Sequence, residues 1–147
     1  MVNSIKEVYP KNLKALLNEI TLYSNEDDIW KIAPGISNSS GNLTLHLIGN
    51  LKYFVGTHLG NTGFVRDRDR EFADKNIPKD HLIDEINSTI IIVETALSAM
   101  QDTDLQKSYP IDKFGEGKTN GFVLTYLLAH LNYHLGQINY HRRLLSN

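Results

Sequence analysis

The stretch Leu128-Ala129-His130-Leu131-Asn132-Tyr133-His134-Leu135-Gly136-Gln137 sets two histidines four residues apart inside an apolar pattern. Outward from it, Val123, Leu127, His130, His134, Ile138, His141 and Leu145 recur in steps of three and four, the period of one helix face. This predicts a last helix over residues 120–145 whose buried side carries three imidazoles. Side chains at i and i+4 stack about 6 Å apart, so His130 and His134 are presented together. That is the spacing by which HExxH helices offer two imidazoles to one metal. Leu131 stands where the glutamate of that motif would be, so the general base of a zinc protease is absent.

The same period runs through most of the chain. Leu13, Leu16, Leu17, Ile20 and Tyr23 mark a first helix. Pro10 lies either near its start, where a missing N–H costs little, or as a kink in a helix that begins earlier. Asn25-Glu26-Asp27-Asp28 breaks the pattern, and Trp30 and Ile32 lead into Ala33-Pro34-Gly35. Ser39-Ser40-Gly41-Asn42 supplies N-cap candidates for a second helix, with Leu43, Leu47, Asn50, Leu51 and Phe54 as its stripe, running to about His58. Residues 60–78 hold the charge run Arg66-Asp67-Arg68-Asp69-Arg70-Glu71 and read as a long connection with a short helical turn around Glu71-Phe72. Asp80 is the expected N-cap of a third helix that turns Leu82, Ile86, Ile90, Val93, Leu97 and Met100 inward. Ile90-Ile91-Ile92-Val93 alone would pass for a strand, but its flanks keep the helical period. Residues 101–119 form a second long connection. The expectation is all-α: one domain over residues 1–147, a four-helix bundle with long loops after the second and third helices.

Composition narrows the partners. A chain of 147 residues has room for one core, and its 41% hydrophobic and 22% charged residues are those of an ordinary globular domain, neither disordered nor fibrous. Fifteen Lys and Arg against 17 Asp and Glu leave a net charge of -2, without the basic surplus of a nucleic-acid binder. With no cysteine, disulfides, thiolate nucleophiles and cysteine-ligated zinc are excluded. No apolar run approaches the roughly 18 residues of a membrane span, and Met1–Pro10 has no apolar core of a signal peptide. A cytoplasmic protein is therefore expected, in which the sequons at Asn38, Asn42 and Asn87 carry no meaning for glycosylation.

An imidazole buried without a partner costs on the order of 2 kcal/mol, and a divalent metal is the simplest single partner for two of them. A third ligand should come from a facing helix. His46, in Leu43-Thr44-Leu45-His46-Leu47-Ile48, is the best placed. His46, His130 and His134 would then make a three-histidine site with open positions, the layout of a catalytic metal; the competing reading is a hydrogen-bonded core cluster. His141 lies roughly 10 Å along the axis from His134 and reads as an outer contact or one at the bundle end. His58 and His81, at helix ends, read as surface residues. Asn50 and Gln137 are candidates to orient the imidazoles through their free N–H groups, or else bond between helices. The Arg66–Glu71 run reads either as a solvated, self-paired loop or as a flap in which Arg68 or Arg70 closes over the metal mouth to bind an anionic substrate. Trp30 would line that mouth or pack in the core, and Tyr133 reads as packing.

The segment His130-Leu131-Asn132-Tyr133-His134-Leu135-Gly136-Gln137-Ile138, with Arg142 and Arg143 downstream, resembles the C-terminal signature of the DinB-like family. Leu45-His46-Leu47-Ile48, with Asn50 beyond it, is similar to the family's first ligand helix. Arg66 to Phe72 is similar to the loop of a DinB-like subfamily of unassigned function. The resemblance implies an up-down-down-up four-helix bundle, usually a homodimer, with a divalent metal on His46, His130 and His134. It also implies a metal-dependent enzyme acting on a small-molecule or thiol substrate, of the low-molecular-weight thiol S-transferase type, with the reaction itself unassigned. A metal-dependent hydrolase, or a non-catalytic dimer with a structural metal, is the alternative. Zinc or nickel suits such nitrogen ligands best, and iron or manganese also fits. Tyr126, Tyr140 and Leu144 on the last helix exceed what the core can use, which agrees with a dimer.

Overall fold

In the computed structural model, residues 1–146 are described; Asn147, the last residue of the expected domain, lies outside them. Helix α1 (Val2–Thr21) forms where Ile5, Tyr9, Leu13, Leu16 and Ile20 fall on one buried face. It starts well before Pro10, which is buried in its interior. Of the two readings left open by the sequence, the earlier start holds. The Lys6 carbonyl then has no N–H four residues on, a defect of about 3 kcal/mol offset by packing of this face.

Helix α2 (Ser40–Leu51) is capped by Ser39, whose Oγ accepts from the Asn42 backbone N–H at 3.1 Å. It widens into a π-helical segment, Lys52–Thr57, and ends in the short α3 (His58–Gly60), where Asn61 takes a left-handed conformation (φ 52°). The turn expected around Glu71-Phe72 is α4 (Arg68–Ala73), capped by Asp67 and held against α2 by the Asn42 amide, which donates to the carbonyls of Glu71 and Asp74 at 2.9 Å each. Helix α5 (Lys79–Ser98) starts one residue after Pro78, with Asp80 inside the first turn and not at the N-cap. Proline's fixed φ sets the turn there, and Asp80 contributes through the helix dipole alone. Helix α6 (Asn120–Leu145) is capped by Thr119.

α1 packs on α5 and α6, and α2 packs on the same two helices, so α1 and α2 sit across the core from one another. Buried hydroxyls and ion pairs fix the neighbours: Tyr9 Oη donates to the Leu124 carbonyl at 2.6 Å, and Arg142 Nε donates to Glu19 at 2.6 Å, both between α1 and α6. Tyr109, from the connection before α6, donates to the Phe54 carbonyl at 2.7 Å. Among the described residues there is no β-strand, one isolated bridge joining Ser108 and Thr119. No described helix is long and apolar enough to cross a membrane. The all-α expectation is met.

Candidate metal centre

The packing of α2 on α6 brings His46, His130 and His134 together. His46 is buried, with Glu71 and Phe72 of α4 packed against it. His130 and His134 are half-buried one turn apart on α6. The Nε2 atom of His130 lies 3.1 Å from His46 Nε2 and 3.1 Å from His134 Nε2. All three ligating nitrogens are within 4.8 Å of one another.

Each outer imidazole has its other nitrogen engaged. His46 Nδ1–H donates to Glu71 Oε1 at 3.0 Å, and His134 Nδ1–H donates to Gln137 Oε1 at 2.6 Å. Both Nε2 atoms are then unprotonated, with lone pairs aimed at His130. His130 Nε2 carries at most one proton and satisfies one of them, while its own Nδ1 is buried without a hydrogen-bond partner. Two nitrogens on one ion at ~2.1 Å stand roughly 3.0–3.4 Å apart between octahedral and tetrahedral geometry, and the 3.1 Å separations fall in that range. The donor set fits a divalent cation better than it fits a proton.

Glu71 is the residue that sequence reasoning missed. It is 6% exposed, although it ends an alternating charge run. Arg66 grips it with two parallel bonds of 2.8 Å, Nε to Oε2 and Nη2 to Oε1. The Arg66 guanidinium also lies over the Phe54 ring. Burial pushes the Glu71 carboxyl up, but the bonds from His46 and Arg66 outweigh it and hold the carboxyl below its ordinary range. Its carboxylate rests on the bare backbone of Gly49, where a Cβ would collide with Oε2 and Cδ. Glycine on the inner side of α2 was the one available signal, because it marks a close approach.

Burial, then the neighbouring imidazoles and Arg66, push His130 down to about 4. Burial lowers His134 too, against its bond to Gln137. At neutral pH these two rings are neutral and Glu71 is ionised.

Other expected residues are placed elsewhere. Arg68 stacks over Phe72, whose ring packs on His46 at 5.0 Å. Arg70 pairs with Asp74 at 3.1 Å on the exposed side of α4, away from the histidines. Arg66 of the same run points inward at the Glu71 carboxylate. Asn50 is buried, and its Oδ1 has no hydrogen-bond partner. Trp30 covers Gly41 at the start of α2. His81 is exposed as expected. His58 is not a surface residue: it is half-buried against Tyr53 and Tyr109, because the chain before α6 folds over it. His141 is buried at the bundle end. Its Nε2–H donates to the Lys31 carbonyl at 2.9 Å, so Nδ1 accepts from the Tyr23 hydroxyl at 2.7 Å. Tyr133 is 65% exposed beside His134 rather than packed in the core.

Beside His134 opens a cleft of about 430 Å3, walled by Tyr133, Gln137 and Tyr140 of α6 and by the chain leading into α2. Of the three histidines, His134 lines this cleft.

A DinB-like protein from Bacillus cereus, known from its crystal structure, superposes with a TM-score of 0.66 at 21% identity, over 90% of this chain and 84% of that one. At that identity the likeness speaks for the fold. No curated protein matches the chain. A family model described as protein of unknown function (DUF1572) matches residues 2–147. On a match of that extent, the chain belongs to the DUF1572 family of proteins of unknown function and has the DinB-like helical fold.

Proposed function

We propose that this protein is a divalent-metal-dependent enzyme acting on a small molecule, of the low-molecular-weight thiol S-transferase type. The observation that carries the reading is the convergence of three Nε2 atoms, two of them on rings whose Nδ1 is hydrogen-bonded, next to an open cleft. Zinc, nickel, iron or manganese bound there would supply a Lewis acid that lowers the pKa of a bound thiol or water. The remaining work falls to the chain. Glu71 and Gln137 hold the Nδ1 protons and aim the rings. Arg66 neutralises Glu71, so the carboxylate orients His46 without leaving an unpaired buried charge. The cluster contains three ligating side chains and no fourth among the described residues. That supports open positions over a closed structural site.

Homodimerisation belongs to the same reading. Phe122 and Tyr126 are exposed large apolar residues on α6 outside the cleft, and light scattering should give twice the chain mass.

The test loads metal-free protein with zinc, nickel, manganese or ferrous iron and follows thiol consumption with an electrophile and hydrolysis of a small ester. The proposal predicts metal-dependent thiol conjugation that His134→Ala abolishes. Ester hydrolysis without conjugation would replace it with the hydrolase reading. Metal binding with neither activity would leave a structural metal.

A further inference from the structure

The cleft beside His134 has no lysine, arginine, aspartate or glutamate in its wall. Ile36, Leu43 and Leu144 supply aliphatic surface, and Tyr133 and Tyr140 supply two aromatic faces. The polar groups among them are neutral amides, hydroxyls and imidazoles. Of the nearby cations, two are held in ion pairs and the exposed third stacks on a wall tyrosine. Arg142 is bonded to Glu19, Lys31 pairs with Asp28, and Arg143 lies over the Tyr140 ring at 5.4 Å. Arg66 is held by Glu71. His141, the remaining titratable wall residue besides His134, has both ring nitrogens committed to Tyr23 and Lys31.

A carboxylate pushed deep into such a cleft would give up water without meeting a cation among the lining residues, a cost that grows with burial. An uncharged ring would instead cover apolar wall and stack on tyrosine. The volume suits one ring and its substituents, at the small end of ligand sites.

We infer that the cleft receives the uncharged aromatic or aliphatic body of a substrate whose single reactive head reaches the His46–His130–His134 centre, and that it excludes molecules with a carboxylate on the far end. This rests on the metal reading for the head and on the cleft alone for the body. It also reverses the sequence expectation of an anionic substrate gripped by Arg68 or Arg70.

The test uses full-length protein loaded with cobalt(II) and two thiols that share head and ring, phenylmethanethiol and its para-carboxylate. Binding is read from the thiolate-to-cobalt absorption. The neutral thiol should bind at least tenfold more tightly. Leu144→Lys, at a position 71% exposed and so harmless to the fold, should cut that preference at least threefold by giving the carboxylate a partner. Equal binding of the two thiols, or a preference unmoved by Leu144→Lys, overturns the inference. If cobalt(II) gives no ligand-field spectrum, the metal reading fails, and the body is tested separately on metal-free protein by NMR. Phenylmethanol should then shift resonances of Ile36, Leu43 and Leu144 while 4-(hydroxymethyl)benzoate does not. Failure of phenylmethanol to shift them overturns the inference as well.

Discussion

Replacing Gly49 with alanine should weaken metal binding while leaving all three histidines in place. The new Cβ would stand 2.7 Å from Glu71 Cδ and closer still to Oε2. To reach ordinary contact at 3.4 Å, Cδ must retreat by about 0.7 Å and Oε2 by about twice that. The His46 Nδ1–Oε1 bond is 3.0 Å long, so that retreat takes it out of good hydrogen-bond range. Losing a partner that orients a metal-ligating histidine typically costs 10- to 100-fold in affinity. Stability is a contest of two terms. Alanine gains about 1 kcal/mol over glycine inside a helix, and a hydrogen bond to a charged group is worth about 1.5–3 kcal/mol. The second wins, for a net loss of about 0.5–2 kcal/mol. Chelator competition gives the affinity and urea unfolding gives the stability. Glu71→Gln is the companion variant: it keeps an acceptor for His46 and removes the charge, so it too should lose affinity, and it should cost more stability because Arg66 is left unpaired. The reasoning is refuted if Gly49→Ala binds metal like the wild type and is about 1 kcal/mol more stable.

Tyr23→Phe removes the hydroxyl that lies 2.7 Å from both Ser40 Oγ and His141 Nδ1. It should cost about 1–3 kcal/mol, seen as a lower Tm, with metal affinity unchanged because the site is at the other end of the α6 stripe. In chelator, stability should fall as pH drops from about 6.5 toward 4. His130 is held down to about 4, and His58, His134 and His141 are lowered by burial, so the unfolded chain binds protons first and acid favours it. Urea midpoints at pH 7.5, 6 and 5 should decline in that order, and His130→Gln should flatten the slope. Saturating zinc or nickel at 100 times Kd should add about 2.7 kcal/mol, a rise of roughly 5–10 °C in Tm for a chain of this size. His46→Ala should abolish that rise; an equal rise in the variant would mean that the ion binds elsewhere.

The bundle was legible because its cues are local. Steps of three and four in α1, α2, α5 and α6, Ser39 among the N-cap candidates of α2, and His130 with His134 on the apolar stripe are all local signals. Pro10 misleads because proline is favoured at a helix start, whereas here the buried face extends through it. The π-helical widening at Lys52–Thr57 leaves no pattern that single residues reveal, and it helps carry His58 into an aromatic pocket. The centre was half legible. His46 could be nominated from its flanking leucines, but the pairing of Glu71 with it crosses 25 residues and runs against composition. A run of alternating charges is normally solvated, and nothing in Arg66 to Glu71 says which two of its members turn inward. Arg66 and Glu71 turn inward, while Arg68 and Arg70 are exposed, Arg68 stacking on Phe72 and Arg70 pairing with Asp74.

The central claim is that three histidines hold one divalent ion, and elemental analysis of protein purified without an affinity tag tests it most directly. The account predicts close to one metal per chain in the wild type and loss of it in His134→Ala. A wild-type chain that carries none, and takes up neither zinc, nickel nor manganese when offered, would contradict it and leave the three imidazoles a hydrogen-bonded cluster between α2 and α6.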